Sequence, residues 1–297
     1  MHIPVATPAI AFACAAALLS CGCGAAASEP APLAVAPAQP AEPSPAPPES
    51  PPTEGERIAG ELVVHGVARD AWVITHEPFH GSNVLVVRMG DGSLVICSSP
   101  FETQGARAMV AWLKETFRPP RIVAINTHFH LDGTAGNDAY LEAGVETYAS
   151  DATQKLLAAR GADLRDRAAD DFTDPKLAAR VKGTRIVAAA HTFPAREGLD
   201  LTFAGEPVRV VYPGPGHSSD NVVVHFPRRD LLFGGCMIKA GDSIGFVGDA
   251  DMSRWEGSVR ALEPLTARVL VPGHGPTGGR ELLDNTIALV RAARARP

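Results

Sequence analysis

The chain has 297 residues, of which 45% are hydrophobic and 20% are charged, and its formal net charge is −6. This length provides enough apolar surface for the buried core of one large domain or two small ones. The acidic balance argues against a nucleic-acid partner, because phosphate binding requires a basic face and the sequence offers none.

The N-terminus has the pattern of an export signal. The apolar run over 5–19 is too short to span a bilayer, and it ends in Leu18-Leu19-Ser20-Cys21, which resembles the lipobox of bacterial lipoproteins. We therefore expect residues 1–20 to be a lipoprotein signal peptide and Cys21 to be the lipidated first residue of the mature chain. The alternative is cleavage after Ala25-Ala26-Ala27, which would release a soluble form. In both cases we expect the protein in the periplasm, with an outer-membrane anchor in the first.

The segment 21–56 is rich in Ala and Pro, so it has too little apolar surface to form a core, and we expect a disordered tether. The domain is then expected over 57–297, with no membrane contact except through Cys21. Cys97 and Cys236 are the two cysteines of this domain, too few for a disulfide framework. Cys97 lies in an apolar run and is expected to be an inert core thiol.

Short β-type runs begin at about Gly60. Strand patterns flanking Asp91-Gly92 predict a hairpin over 84–97, followed by a helix over 102–117 and a strand over 121–126. The later predicted elements are helices at 137–143, 151–160 and 162–181, strands at 199–203, 208–212, 221–226 and 230–233, a helix at 252–262, a strand at 268–271 and a helix at 280–293. In each half the strands come first and the helices later, which predicts two sheets covered by helices.

Four loops, each at the end of a predicted strand, carry histidine, cysteine or aspartate next to glycine. Imidazole, thiolate and carboxylate groups are the ligands that zinc takes, and a catalytic site leaves one position for water. A single His-x-His pair is a weak signal, but four such loops together predict a metal site. The candidate ligands are His128, His130, Asp132, His217, Cys236 and His274.

The segments Asn126–Thr134, Ser98–Glu102, Asp220–Val224 and Leu232–Lys239 resemble the class B metallo-β-lactamases that use a cysteine ligand, subclass B1, and among them the São Paulo type. The resemblance covers the chain from about residue 60 to its end. The wider superfamily usually has a histidine directly after the motif aspartate. Gly133 stands there instead, which favours the lactamase branch over glyoxalase- and nuclease-type relatives.

The resemblance implies an α/β fold, an αββα sandwich of two mixed sheets flanked by helices. It also implies two zinc ions per chain. His128, His130 and His217 would hold the first ion, and Asp132, Cys236 and His274 the second. Asp132 and Lys239 would take part in catalysis, with Lys239 binding the carboxylate of the substrate.

The implied activity is zinc-dependent hydrolysis of the ring amide of β-lactam antibiotics by a metal-bound hydroxide, which would confer resistance. The expected partner is this small-molecule substrate, and the expected state is a monomer. Two alternatives stay open: a hydrolase of another small cyclic ester or amide, such as a lactone, and a zinc-binding lipoprotein without turnover.

Three further features lie outside the ligand set. Phe246 stands where many family members have an asparagine that donates to the carbonyl oxygen of the substrate, and phenylalanine cannot donate. His76 and His80 are expected to face solvent, with substrate contact as the alternative. The middle segment 151–185 is long for this family. Its many Arg and Asp residues predict a solvated face, although it could flank the groove.

Overall fold

Two β-sheets pack face to face in the computed structural model, which describes residues 52–295. The first sheet has eight strands that neighbour one another in chain order: β1 (Arg57–Ile58), β2 (Leu62–Ala68), β3 (Ala71–His76), β4 (Ser82–Arg88), β5 (Leu94–Cys97), β6 (Ile122–Ile125), β7 (Glu146–Ser150) and β8 (His191–Phe193). Strands β1 to β5 pair antiparallel and β5 to β8 pair parallel, so this sheet is mixed.

The second sheet has five strands in the spatial order β13-β12-β11-β10-β9. They are β9 (Leu199–Phe203), β10 (Glu206–Val211), β11 (Val223–Phe226), β12 (Leu231–Gly235) and β13 (Val269–Pro272). Only the pair β12 and β13 is parallel, so this sheet is mixed as well.

Within residues 52–295, seven α-helices flank the sheets: α1 (Thr103–Phe117), α2 (Leu131–Thr134), α3 (Asn137–Glu142), α4 (Asp151–Asp170), α5 (Pro175–Lys182), α6 (Trp255–Arg260) and α7 (Glu281–Arg294). One core cluster joins α1 and α3 to the outer face of the first sheet, and another joins α6 and α7 to the outer face of the second. A third cluster lies between the sheets. The predicted αββα sandwich is confirmed.

Strand β4 shows why these strands are apolar throughout. Val84 and Val86 pack under α1, whereas Leu85 and Val87 point into the layer between the sheets. A strand that is buried on both faces cannot alternate apolar with polar residues. The predicted hairpin is also confirmed, because β4 pairs antiparallel with β5 across the turn at Asp91-Gly92.

The middle segment differs from its predicted boundaries. We expected separate helices on the two sides of Gly161, but α4 runs through this residue without a break. A Cβ atom there would lie 2.7 Å from Ile186 Cγ2, so glycine permits close packing and does not end the helix. The break comes instead after Asp170, and α5 begins where Asp174 caps its N-terminus and Pro175 takes the first turn.

The predicted signal peptide and lipidated Cys21 lie outside the described residues, as does most of the predicted tether. Contacts with the domain begin slightly before the boundary expected at residue 57, since Gly55 N donates to Val64 O and Val64 N donates to Glu56 O. Within residues 52–295, no helix has both the length and the apolar character needed to cross a bilayer. Cys97 is buried, and burial raises its pKa well above the ordinary value, which agrees with an inert thiol.

Candidate metal centre

The four predicted loops converge at one edge of the sandwich. One loop follows β6, one precedes β11, one follows β12 and one follows β13. The parallel pairs β5–β6 and β12–β13 both end at this edge. Five of the six predicted ligand residues are buried, and the side chain of His274 is 35% exposed. A site that is buried except on one side can hold an ion and still admit a substrate.

The turn that carries the first three candidates is built around a glycine. Gly133 N donates to His130 O at 2.9 Å, and Gly133 O accepts from Asn126 Nδ2 at 2.8 Å. A Cβ atom at Gly133 would lie only 2.2 Å from His128 O. The absence of a side chain lets the backbone close tightly, so His128, His130 and Asp132 come together.

Asp132, Cys236 and His274 form one group. Cys236 Sγ lies 2.9 Å from Asp132 Oδ2, and His274 Nε2 lies 3.2 Å from the same oxygen. Gly273 permits this approach, because a Cβ atom there would lie 2.5 Å from Cys236 Sγ. The group combines the sulfur, nitrogen and oxygen donors expected of a zinc ligand set.

His128, His130 and His217 form the second group. Their ring centroids are 4.8, 5.4 and 4.9 Å apart, and His130 Nδ1 lies 3.0 Å from His217 Nε2. His128 Nε2 is buried without a hydrogen-bond partner and lies 3.3 Å from Asp132 Oδ1. A buried imidazole nitrogen without a partner is costly in a protein interior, whereas binding a cation would satisfy it.

The charges of the two groups also suit a cation. Burial lowers the pKa of His128, but Asp132 beside it raises that pKa to about 10. Burial would raise the pKa of Asp132, yet His128 and His274 hold it well below its usual value. Burial lowers the pKa of His274, but Cys236 and Asp132 raise it by more, so this pKa lies well above its ordinary value. The anionic ligands therefore attract positive charge strongly into a dehydrated site, which a metal ion can supply.

Each histidine ring has two nitrogens. A hydrogen bond at one of them determines that the other is free to bind a metal. His128 Nδ1 lies 3.3 Å from Thr127 Oγ1, and Thr127 Oγ1 in turn lies 2.6 Å from Ser98 Oγ. His274 Nδ1 donates to the carbonyl oxygen of His80 at 3.0 Å, which leaves Nε2 directed at Asp132. These contacts orient the rings before any ion binds.

Asp249 is a partner of the site that sequence reasoning missed. Its Oδ2 accepts from His130 Nε2 at 2.9 Å, and its Oδ1 accepts from Arg160 Nη2. The hydrogen bond from His130, with that from Arg160, lowers the pKa of Asp249 to about 2, so the residue is a carboxylate at neutral pH. Nothing in the sequence distinguishes this aspartate, 119 residues from His130, from an ordinary loop residue.

Lys239 and Phe246 lie beside the histidines. Lys239 is 9% exposed, and its Nζ lies 5.5 Å from the centroid of the Trp255 ring, which is itself 5.8 Å from the ring of His217. No carboxylate in residues 52–295 forms an ion pair with this ammonium group. Phe246 is 56% exposed, and its ring lies 5.7 Å from that of His130.

The prediction for His76 is wrong, and that for His80 is confirmed. His76 is fully buried: its Nδ1 accepts from Phe101 N at 3.3 Å, and its Nε2 lies 3.4 Å from Glu61 Oε1. Its ring lies 4.5 Å from that of Phe79, and Arg180 of α5 lies over the Phe79 ring and donates to Glu61. His80 is exposed, with its ring 4.8 Å from that of Phe172.

Comparison with known proteins decides the family. Residues 107–274, more than half of the chain, match the metallo-beta-lactamase superfamily. The chain belongs to this superfamily. It is a hydrolase of the metallo-beta-lactamase type, in agreement with the fold and the ligand geometry.

Relatives and solved structures agree with this assignment. A metallo-beta-lactamase type 2 of Bacteroides fragilis is 29% identical over 214 residues, which cover 70% of this chain and 75% of that protein. The structure of a metallo-beta-lactamase from Pontibacter korlensis is 28% identical with a TM-score of 0.64, and the match covers 78% of this chain and 99% of that chain. The metallo-beta-lactamase FIM-1 from Pseudomonas aeruginosa, in its mono-zinc form, is 25% identical with a TM-score of 0.64, covering 80% and 97%.

Proposed function

We propose that this chain hydrolyses the ring amide of β-lactam antibiotics, that it depends on zinc, and that it confers resistance. The observation that carries the proposal is the position of the buried Lys239 ammonium group near His217, one of the six metal-ligand candidates, with the Trp255 ring close to both. A buried cation without an acidic partner is costly unless an anion binds to it. β-Lactams have a carboxylate near the scissile amide, so one substrate can contact both features. The names of the relatives support the same activity.

The donor sets support two zinc ions per chain. His128, His130 and His217 would hold the first ion, and Asp132, Cys236 and His274 would hold the second. When bound, the ions supply Lewis acidity that activates water and polarises the lactam carbonyl. Phe246 has no hydrogen-bond donor, so it cannot stabilise the carbonyl oxygen.

The chain's own residues bind and orient the reactants. Lys239 is placed to hold the substrate carboxylate, since its backbone N donates to Thr286 Oγ1 and Asn285 Nδ2 donates to its carbonyl oxygen. Asp132 lies between the two ligand groups, with Oδ1 3.3 Å from His128 Nε2 and Oδ2 3.2 Å from His274 Nε2, and we propose that this carboxylate orients the attacking water. The exposed ring of Phe246 covers the histidine group and can exclude bulk water when substrate is bound.

Turnover of nitrocefin by the purified protein tests this proposal. We expect hydrolysis that EDTA abolishes and zinc restores, with about two zinc ions per chain by mass spectrometry. Hydrolysis of lactones without any turnover of β-lactams would assign the second activity left open by the sequence. Zinc binding without turnover of either substrate would leave a binding protein. Both results would contradict β-lactam hydrolysis.

Within the family, we propose subclass B1 and the São Paulo type. The cysteine ligand supports the subclass. The long helical segment α4–α5 and the aromatic residue at position 246 support the type. A comparison of hydrolysis rates with and without excess zinc, against an enzyme of that type, would test this assignment through a shared metal dependence.

We also propose export to the periplasm as a monomer anchored to the outer membrane through Cys21. The basis is the sequence pattern of residues 18–21. The unmutated protein should fractionate with membranes, and the variant Cys21→Ser should fractionate as a soluble periplasmic protein, because the acceptor of the lipid is lost. Recovery of the unmutated protein as a soluble species would contradict the anchor.

A further inference from the structure

A continuous set of contacts joins helix α4 to one of the metal-ligand candidates. Arg160, on α4, donates through Nη2 to Asp249 Oδ1, and the other carboxylate oxygen of Asp249 accepts from His130 Nε2. The side chain of Asp249 is 6% exposed, and that of Arg160 is 38% exposed. The carboxylate is thus held between two donors at the margin of the site.

Both oxygens of Asp249 are engaged, and this determines its orientation. A carboxylate bound through one oxygen can rotate about its last side-chain bond, whereas one bound through both cannot. The loop that carries Asp249 provides little packing of its own, because its neighbours Phe246 and Val247 are 56% and 39% exposed. The arginine supplies the second fixed point that the loop lacks.

Arg160 is itself positioned by the metal-binding turn. Its guanidinium carbon lies 5.2 Å from the centroid of the Phe129 ring, and that ring lies 4.5 Å from the ring of His130. Phe129 is fully buried, so its face is a fixed platform for the cation. Arg160 therefore contacts the surroundings of His130 twice, once through Asp249 and once through Phe129.

We propose that Arg160 is a positioning residue for the first metal site. Arg160 fixes Asp249, and Asp249 accepts a hydrogen bond from the Nε2 proton of His130. The ring of His130 is thereby oriented so that Nδ1 points to the same place as His217 Nε2. This inference rests on the metal-binding role proposed for His130. It also gives the segment 151–185 a function in the site, where the sequence predicted a solvated face with a position beside the groove as the alternative.

The test compares Arg160→Ala and Arg160→Lys with the control variant Arg167→Ala in zinc-loaded protein. Arg167 lies on the same helix, and its one ion pair among residues 52–295 is with the exposed Asp163. We expect Arg160→Ala to weaken the binding of one of two zinc ions about tenfold in a chelator competition, as is usual when a group that orients a ligand is removed. Arg160→Lys should recover part of the loss, and Arg167→Ala should behave as the parent.

Two further measurements separate positioning from a general structural role. With nitrocefin, kcat should fall while KM stays the same, because Lys239 is held by residues of α7 and not by Arg160. In ¹⁵N-histidine spectra of the loaded protein, the Nε2 proton of His130 should exchange faster in Arg160→Ala. In a background with Asp249→Ala, the same substitution should add no further loss, since the two residues act through one set of contacts.

The outcomes are distinct. If the parent binds no zinc, the proposed function itself fails. If the parent binds two zinc ions and Arg160→Ala matches Arg167→Ala in zinc affinity and in proton exchange, the positioning role is overturned and the proposed function stands. Equal weakening of both zinc ions, without recovery by lysine, would also overturn it, because the effect would then be structural.

Discussion

Two buried clusters in the described part of the chain combine histidine with acidic groups, and they differ in the source of positive charge. In the metal-centre candidate, no lysine or arginine within residues 52–295 forms an ion pair with Asp132. In the second cluster, Glu61, His76 and Glu102 bring their ligand atoms within 4.8 Å of one another, and Arg180 donates to both carboxylates. We name the second set the arginine cluster. The first set is named the metal cluster, and its members are the six ligand candidates His128, His130, Asp132, His217, Cys236 and His274.

The difference shows that short distances between histidine and acidic side chains do not by themselves identify a metal site. Buried carboxylates need a cation nearby, because desolvation penalises an uncompensated charge. In the arginine cluster the chain supplies this cation, and Arg180 fastens α5 to Glu61 and to Glu102, the residue that caps α1. In the metal cluster the positive charge beside Asp132 is carried by the imidazole rings of His128 and His274, which give up their protons when they bind a metal ion. One cluster therefore serves stability, and the other is suited to chemistry.

The largest expected effect is in the metal cluster. His217→Ala should leave about one zinc ion per chain, because an incomplete ligand set does not hold the ion. Nitrocefin turnover should fall by more than about a hundredfold, which exceeds the loss typical of a residue that only orients a ligand. His191→Ala is the matched control, since this exposed histidine stacks on Tyr148 away from the cluster. Two bound zinc ions in His217→Ala would contradict the ligand assignment.

In the arginine cluster, the expected loss is of stability. Arg180→Ala would leave Glu102, whose side chain is 2% exposed, without its cation, so the free energy of unfolding should fall by about 3 kcal/mol. The control Arg107→Ala breaks an exposed ion pair with Glu142 and should cost less than about 1 kcal/mol. Urea unfolding measures both. The zinc content of each variant should equal that of the parent, and equal losses of stability would remove the distinction between the clusters.

His76 gives the arginine cluster a pH dependence. Burial, partly offset by Glu61, lowers the pKa of His76 to about 4, whereas an unfolded chain has the ordinary value of 6.5. The unfolded state therefore binds one more proton between these values, so the stabilising contribution is complete above pH 6.5 and is lost as the pH falls towards 4.

From pH 7 to pH 5 this contribution should decrease by about 2 kcal/mol, at 1.36 kcal/mol per pKa unit. Unfolding by urea at the two pH values, in the parent and in His76→Gln, isolates the effect because all other groups are common to both. The variant should lose less stability over this interval than the parent. The same loss in both proteins would show that His76 is not held neutral.

A further effect is expected at the edge of the metal cluster, where the ammonium group of Lys239 lies. Lys239→Ala should lower kcat/KM by about tenfold to a hundredfold, at about 1.4 kcal/mol per decade, and much of the loss should appear in KM. Zinc content should not change, because the amine is not a ligand. For substrates with an esterified carboxylate, kcat/KM should be nearly the same in the variant and in the parent. An equal loss for acid and ester substrates would remove the substrate-binding role.

Local sequence patterns predicted those parts that local chemistry determines. The hairpin at Asp91-Gly92 and helix α1 followed from turn residues and from apolar spacing. The six ligand candidates could be found because each stands in a short loop after or before an apolar strand, and such loops meet at one edge when the strands are assembled into sheets. These six side chains do come together as expected.

The remaining parts depend on distant contacts that a sequence pattern does not reveal. His76 lies at the end of a strand and resembled a loop residue, but α5, about a hundred residues later, closes over it. Arg160 and Asp249 are 89 residues apart, and no local spacing in the sequence links them. Their pairing is decided by how α4 packs against the finished sandwich.

The close approach of Gly133 to the carbonyl oxygen of His128 couples this position to the geometry of the metal centre. A Cβ atom at position 133 would lie 2.2 Å from His128 O, so a side chain there requires the peptide group of His128 to move. A histidine at position 133, as is usual in the wider superfamily, would therefore change the placement of the first ligand candidate as well as adding a donor.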